Sequence, residues 1–277
     1  MPENISVILS EPRPDDPGVE ALADSLAERL AGRPGLRLAR VANLYDLEPA
    51  GPVMESIRRI EGDLVVLSAL YPRATFWTLK TAGVPGCLAD RGESAERAIW
   101  CLRLHPGADA GEILGQIDRI VARAHGGATT PGPGGQPVRP SAPAHQRWYP
   151  VIDRQRCSGC LECLNFCLFG VYGVDAAGGL LIEQPDACRA GCPACSRICP
   201  EGAIMFPQHV DPAIAGDDKA SLEGLKLDLS QLFAGADPSV MATAERDRAL
   251  AAVETREDSR GGDQLDDLVD EMDEMDL

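Results

Sequence analysis

Eight of the ten cysteines in this chain lie between residues 157 and 199. Thiols at this density are normally paired in disulfides or bound to a metal. Disulfide frameworks occur mainly in secreted chains, and the N-terminus, MPENISVILSEPRPDD, lacks the basic segment and apolar core of a signal peptide. We therefore expect a cytoplasmic protein whose cysteines are reduced or bound to metal.

The first cysteine block, CSGCLECLNFC, separates its cysteines by two, two and three residues. Three thiolates this close in sequence can each reach a different iron of a cubane cluster. A single zinc ion more often takes two separated C-x2-C pairs. The block therefore favours a [4Fe–4S] cluster over zinc, and its cysteines are Cys157, Cys160, Cys163 and Cys167.

The second block, CRAGCPACSRIC, repeats the first at an offset of 32 residues for three of its four cysteines. The flanking residues agree, because the segment from Cys167 to Tyr172 aligns with the segment from Cys199 to Ile204. The first cysteine is out of step, at an offset of 31, so one residue is inserted after it. Between the blocks, VYGVDAAGGLLIEQ predicts a β-hairpin. The cysteines of the second block are Cys188, Cys192, Cys195 and Cys199.

Together the two blocks resemble a bacterial ferredoxin domain with two [4Fe–4S] clusters. That family has the run C-x2-C-x2-C-x3-C-P, and its fourth cysteine ligates the other cluster. The resemblance covers residues 147–207 and implies a small α+β iron–sulfur domain that carries single electrons. It also implies two ligand sets: Cys157, Cys160, Cys163 and Cys199 for the first cluster, and Cys167, Cys188, Cys192 and Cys195 for the second.

The sequence departs from the family pattern at two places. The proline after the fourth cysteine is present as Pro200 but is replaced by Leu168 after Cys167. The loop after Cys188 is one residue longer, and Arg189 occupies the position where the family would have a cysteine. We expect a second [4Fe–4S] cluster, with a labile cluster or a [3Fe–4S] form as the alternatives.

Residues 1–126 alternate strand-like and helical patterns and match no family that we recognise. This order predicts an α/β domain of Rossmann or flavodoxin type, with a parallel sheet and helices on both faces. The strand-like runs are NISVILS, LRLARVANL, DLVVLSALY and AIWCLRL, and the helical runs are GVEALADSLAERLAG, PVMESIRRIEG, PRATFWTLKTAG and GEILGQIDRIVARA.

No glycine-rich phosphate loop follows any strand-like run of this domain. The segment SALYPRATFW is the best candidate for a ligand loop, since Arg73 and Thr75 could face an anion at the start of a helix. The alternative is an ordinary helix start with Phe76 and Trp77 in the core. The remaining cysteines, Cys87 and Cys101, are expected to be structural.

We predict a linker and a tail for the remaining two segments of the chain. Residues 127–146 are rich in proline and glycine, as in a linker. Residues 208–277 carry 19 acidic and 6 basic side chains, so we expect an acidic, partly disordered tail with short helices at SLEGLKLDLSQLF and MATAERDRALAAVE. Its last segment, DQLDDLVDEMDEMDL, is either a solvated end or a helix that binds a partner protein.

These features limit the function classes. An acidic chain does not suit nucleic-acid binding, and no apolar run is long enough to span a membrane. The leading hypothesis is an electron-transfer protein that relays single electrons through two [4Fe–4S] clusters to or from a redox partner protein. Two alternatives stay open: an oxidoreductase subunit whose α/β domain binds a flavin or another cofactor, and an iron–sulfur redox sensor.

Overall fold

A computed structural model describes residues 5–14, 17–33, 35–89, 97–125 and 145–221. The predicted linker lies outside these residues except at its last two positions. The two predicted tail helices lie outside them except for Ser221, and the acidic C-terminal segment lies outside them entirely. The described residues belong to one compact unit, and the predicted domain boundaries stay a prediction.

The N-terminal part is a five-stranded sheet flanked by helices, and all of its strand pairs are parallel. This confirms the predicted α/β class. Three of the helices begin at a proline, whose fixed φ suits the first helical position. In chain order the elements are β1 Ile5–Ser10, α1 Pro17–Leu30, β2 Leu36–Val41, α2 Pro52–Arg58, β3 Leu64–Ser68, α3 Pro72–Thr81, β4 Cys87–Leu88, β5 Ala98–Arg103 and α4 Ala110–His125.

The strand order is β2-β1-β3-β5-β4. The flavodoxin-like order is 2-1-3-4-5. The sheet matches it at the first three positions, whereas β4 and β5 are exchanged. β4 is not among the predicted strands, because a strand of two residues has no periodic run to detect. This short strand pairs only with Ala98 and Ile99 of β5, so it covers little of that edge.

Helices cover both faces of the sheet, as the alternating pattern predicts. On one face α1 and α4 bury side chains such as Leu26 and Ile117 against β1 and β3. On the other face α2 and α3 bury side chains such as Ile57 and Leu79 against the same strands. Every residue of β3 is buried, which explains why its sequence is a continuous apolar run.

The cysteine-rich part consists of two copies of a small unit. In each copy a one-turn helix is followed by a short strand, and equivalent elements lie 32 residues apart: α5 Glu162–Phe166 and α6 Ala194–Ile198, then β7 Tyr172–Val174 and β9 Ile204–Met205. β6 Val151–Ile152 pairs antiparallel with β9. β7 pairs antiparallel with β8 Leu180–Ile182, so the predicted hairpin is confirmed. A final helix, α7, spans Pro212–Ala215.

The cysteine-rich part packs on the sheet at the carboxyl ends of its strands. Tyr149, Val151 and Met205 belong to the same buried core as the α2–α3 face of the sheet. Just after β2, the ring of Tyr45 stacks on Tyr149 with ring centroids 4.3 Å apart, and the Tyr149 hydroxyl donates to the Tyr45 carbonyl at 2.9 Å. Parallel α/β sheets usually bind ligands at this edge, so protein here covers part of the usual ligand position.

Arg73, the candidate anion-binding residue, instead forms a buried ion pair. Its Nε donates to Asp153 Oδ2 at 2.8 Å, and its Nη2 donates to the Gly202 carbonyl at 2.7 Å. The exposed fractions of the two side chains are 3% and 0%. Burial lowers the pKa of Arg73, and the hydrogen bond to Asp153 partly offsets that effect. With Thr75 buried nearby, the anion-site hypothesis is wrong and the ordinary helix start is confirmed.

Within the described residues, no helix is both long and apolar enough to cross a membrane.

The buried pair predicts a stability effect. We expect Arg73→Met to lower the free energy of unfolding by about 3 kcal/mol, because it removes the buried cation of the Asp153 carboxylate and leaves only the more exposed Arg156, at 3.6 Å. The urea-unfolding midpoint of the full chain, followed by circular dichroism, measures this. The control is Arg33→Ala, which removes a more exposed pair with Asp118 and should cost less than about 1 kcal/mol. Equal shifts for the two variants would contradict the prediction.

Candidate metal centre

Each cysteine block is a loop that leads into a one-turn helix. Gly159 and Gly191 occupy equivalent positions in the two loops, with φ of +73° and +77°. Only glycine adopts this left-handed region without strain, and the turn reverses the chain between successive cysteines. Leu161 follows in the first loop with φ of +62°, and it is the one non-glycine residue with positive φ in the described part of the chain. In both blocks the third cysteine, Cys163 or Cys195, is buried.

The structure brings the first group of four cysteines together around one cavity. Three come from the first block and the fourth from the end of the second, and Leu161, Leu180 and Ile204 contribute apolar side chains to the lining. The cavity is narrow, at about 10 Å³, and Cys160 is the exposed member of the group. The four are Cys157, Cys160, Cys163 and Cys199.

The second group of four lines a separate and wider cavity of about 640 Å³. Three of these come from the second block and one from the first. Phe169, Val171 and Tyr172 form much of the remaining wall. The four are Cys167, Cys188, Cys192 and Cys195. The two groups are the same sets that the ferredoxin resemblance implies, and ligation of iron by them stays a prediction.

Three of the buried or half-buried thiols resist ionisation. Burial, together with the neighbouring Cys199, Cys157 and Cys160, raises the pKa of Cys163 to about 12. Burial also raises the pKa of Cys188 to about 12, with contributions from Cys192 and Cys167, and it raises that of Cys195 as well. Four thiolates in one such cavity need a multivalent cation, because bound metal is what keeps coordinating thiols deprotonated.

All eight cysteines are free of disulfide bonds. In the part of the chain that the structure describes, no three Cys, His, Asp or Glu side chains converge to hold one metal ion. A cubane takes one thiolate at each of its irons, and binding of such a cluster by these cysteines stays a prediction.

The structure shows how Cys188 reaches the second cavity despite the inserted residue. A one-turn 3-10 helix, Pro185–Ala187, precedes it, and the turn between Arg189 and Cys192 absorbs the extra length through a backbone hydrogen bond of 3.0 Å. Arg147 holds this 3-10 helix in place, because its Nε donates to Asp186 Oδ1 at 2.9 Å. The role of Arg147 cannot be predicted from the sequence, since no sequence pattern relates Arg147 to Asp186, 39 residues later.

The rim of the second cavity is apolar and open to solvent. Leu168 is 92% exposed and Phe169 is 40% exposed, and both line the cavity directly after Cys167. Leu168 stands where the family pattern has proline. Large exposed apolar side chains beside a site often mark a surface that contacts another protein.

One part of the chain is similar in sequence to known proteins. Over 66 residues, or 24% of its length, the chain is 42% identical to an uncharacterized ferredoxin of Methanocaldococcus jannaschii, and the match spans 44% of that protein. Over 55 residues, or 20% of its length, it is 36% identical to pyruvate synthase subunit PorD of the same organism, and the match spans 62% of that subunit. The chain thus covers less than two thirds of either relative.

No family model matches the chain. The two similarities support a ferredoxin-type [4Fe–4S] domain within it, and they give no name to the N-terminal α/β part.

Proposed function

We propose that this chain is an iron–sulfur electron-transfer protein that relays single electrons through two [4Fe–4S] clusters to or from a redox partner protein. The observation that carries the proposal is the grouping of eight cysteines around two separate cavities, each of which takes three cysteines from one block and one from the other. Similarity to a ferredoxin and to PorD supports the same function. The proposed electron-transfer domain is residues 147–207, and residues 1–126 form its platform.

The eight cysteines would hold two clusters, one in each cavity. When bound, such clusters exchange single electrons at potentials set by hydrogen bonds to sulfur and by solvent access. Leu180 and Ile204 contribute apolar surface to the first cavity. The backbone N–H of Ala203 donates to Cys199 Sγ at 3.3 Å, a contact that favours the negative charge of a thiolate ligand.

The second cavity is the better candidate for contact with a partner. It is the wider of the two, and the exposed side chains of Leu168 and Phe169 stand at its rim. A redox partner that buries these two side chains would approach the second cluster closely. We therefore propose that electrons enter or leave the protein on this side.

A role as the electron-transfer subunit of a larger oxidoreductase is a second form of the proposal, and the similarity to PorD favours it. The α/β part would then serve as the docking platform of the subunit.

A flavin-binding role for the α/β part gains less support. Arg73, its candidate ligand residue, is paired with Asp153, and the Tyr45–Tyr149 contact covers part of the sheet edge where such a cofactor would sit.

The composition of the purified protein tests the proposal directly. Full-length chain purified without oxygen should contain about eight irons and about eight acid-labile sulfides, because each cubane holds four of each. Iron and sulfide assays measure this, and EPR after reduction should show two magnetically coupled clusters. Bound zinc without sulfide would refute the proposal.

Single cysteine variants test the crossed ligand sets. We expect Cys188→Ala to remove or alter one cluster, and Cys160→Ala to remove or alter the other, since each replaces one ligand of a different set. The two variants should therefore lose different components of the EPR spectrum. Cys101→Ala is the matched control, because Cys101 lies on β5 and lines neither cavity. Loss of the same component in both site variants would show that the sets are assigned wrongly.

A further inference from the structure

Tyr172, the first residue of β7, carries a polar group that the protein leaves unsatisfied. Its side chain is buried and lines the second cavity. Its hydroxyl has no accessible surface and no hydrogen bond of normal geometry to any protein group. Buried hydroxyls nearly always have a partner, so one without a partner beside a cofactor cavity indicates that the bound group supplies it.

Tyr172 shares the second cavity with thiols. It lines that cavity together with Cys167 and Cys195, and Tyr172 and Cys195 also pack in the same buried cluster. A tyrosine hydroxyl carries its proton at neutral pH, so it can act as a donor toward sulfur.

The internal repeat shows that this donor is specific to one site. The residue equivalent to Tyr172, 32 positions later, is Ile204. Ile204 lines the first cavity, where it offers only an apolar surface. The two cavities are thus built on the same backbone unit, and at this position only the second has a hydrogen-bond donor.

We propose that the Tyr172 hydroxyl donates a hydrogen bond to Cys195 Sγ when the second cavity holds its cluster, and that this bond raises the reduction potential of that cluster. This inference rests on the proposed electron-transfer function. Reduction adds negative charge that spreads onto the sulfur atoms, so a donor to sulfur stabilises the reduced form more than the oxidised form. Ile204 cannot do the same for the first cluster. Tyr172 would therefore favour reduction of the second cluster over the first, and the second cavity is the one with Leu168 at its rim.

The test is Tyr172→Phe in the full-length chain, loaded with clusters and studied without oxygen. Potentials are measured by a redox titration followed by EPR. We expect one potential to fall, with the equilibrium constant for reduction lower by about tenfold, or about 59 mV for a one-electron couple. The affected cluster should be the one whose signal Cys188→Ala removes. In resonance Raman spectra, the Fe–S stretching bands of wild type should shift in D2O, and Tyr172→Phe should reduce that shift, since backbone donors to sulfur remain.

The control is Tyr149→Phe. Tyr149 is also buried, but its hydroxyl bonds to the Tyr45 carbonyl and it lines neither cavity. This variant should leave both potentials unchanged. If Tyr172→Phe contains both clusters and neither potential moves, or both move equally, the inference is wrong and the proposed function stands. If the wild-type protein contains no acid-labile sulfide, the proposed function itself fails.

Discussion

The buried ion pair between Arg73 and Asp153 is the contact on which the arrangement of this molecule most depends. Arg73 lies in the first turn of α3, at the end of a central strand of the sheet, and Asp153 follows β6 of the cysteine-rich part. The same carboxylate accepts backbone N–H groups of Gln155 and Arg156, and the Asp153 carbonyl accepts the N–H of Cys157 at 3.0 Å. One contact thus joins the sheet, β6 and the first cysteine loop.

The α/β part supports both cysteine sites through its strand ends. Beyond the end of β3, Arg73 bonds to the side chain of Asp153. The carbonyl of Asp153 in turn accepts the N–H of Cys157, which lines the first cavity. Beyond β2, Tyr45 stacks on Tyr149 and packs in the core against which Cys188 also lies. Arg147, next to this stack, places its guanidinium 4.6 Å from the centroid of the Tyr149 ring and bonds to Asp186 just before Cys188.

The internal repeat is most informative where it breaks. Three positions differ between the two copies in a way that affects a site: the inserted residue after Cys188, the exchange of proline for Leu168, and Tyr172 in place of isoleucine. All three lie on the second cavity. In the first cavity, the position equivalent to Tyr172 is the apolar Ile204, which lies beside Leu180 in the lining. The two sites share one backbone plan. The second is wider, has the buried Tyr172 hydroxyl in its lining and carries exposed apolar side chains at its rim.

The sequence alone determined the parallel α/β class, the hairpin between the cysteine blocks and the 32-residue repeat, because each depends on local periodicity or spacing. It also proposed the two groups of cysteines, through a family resemblance. Only the tertiary structure decided which residue pairs with Arg73, how Arg147 supports the segment before Cys188, and that the buried hydroxyl of Tyr172 lacks a hydrogen-bond partner. These depend on contacts between residues distant in sequence, and a buried polar group takes its role from whichever partner the fold brings to it.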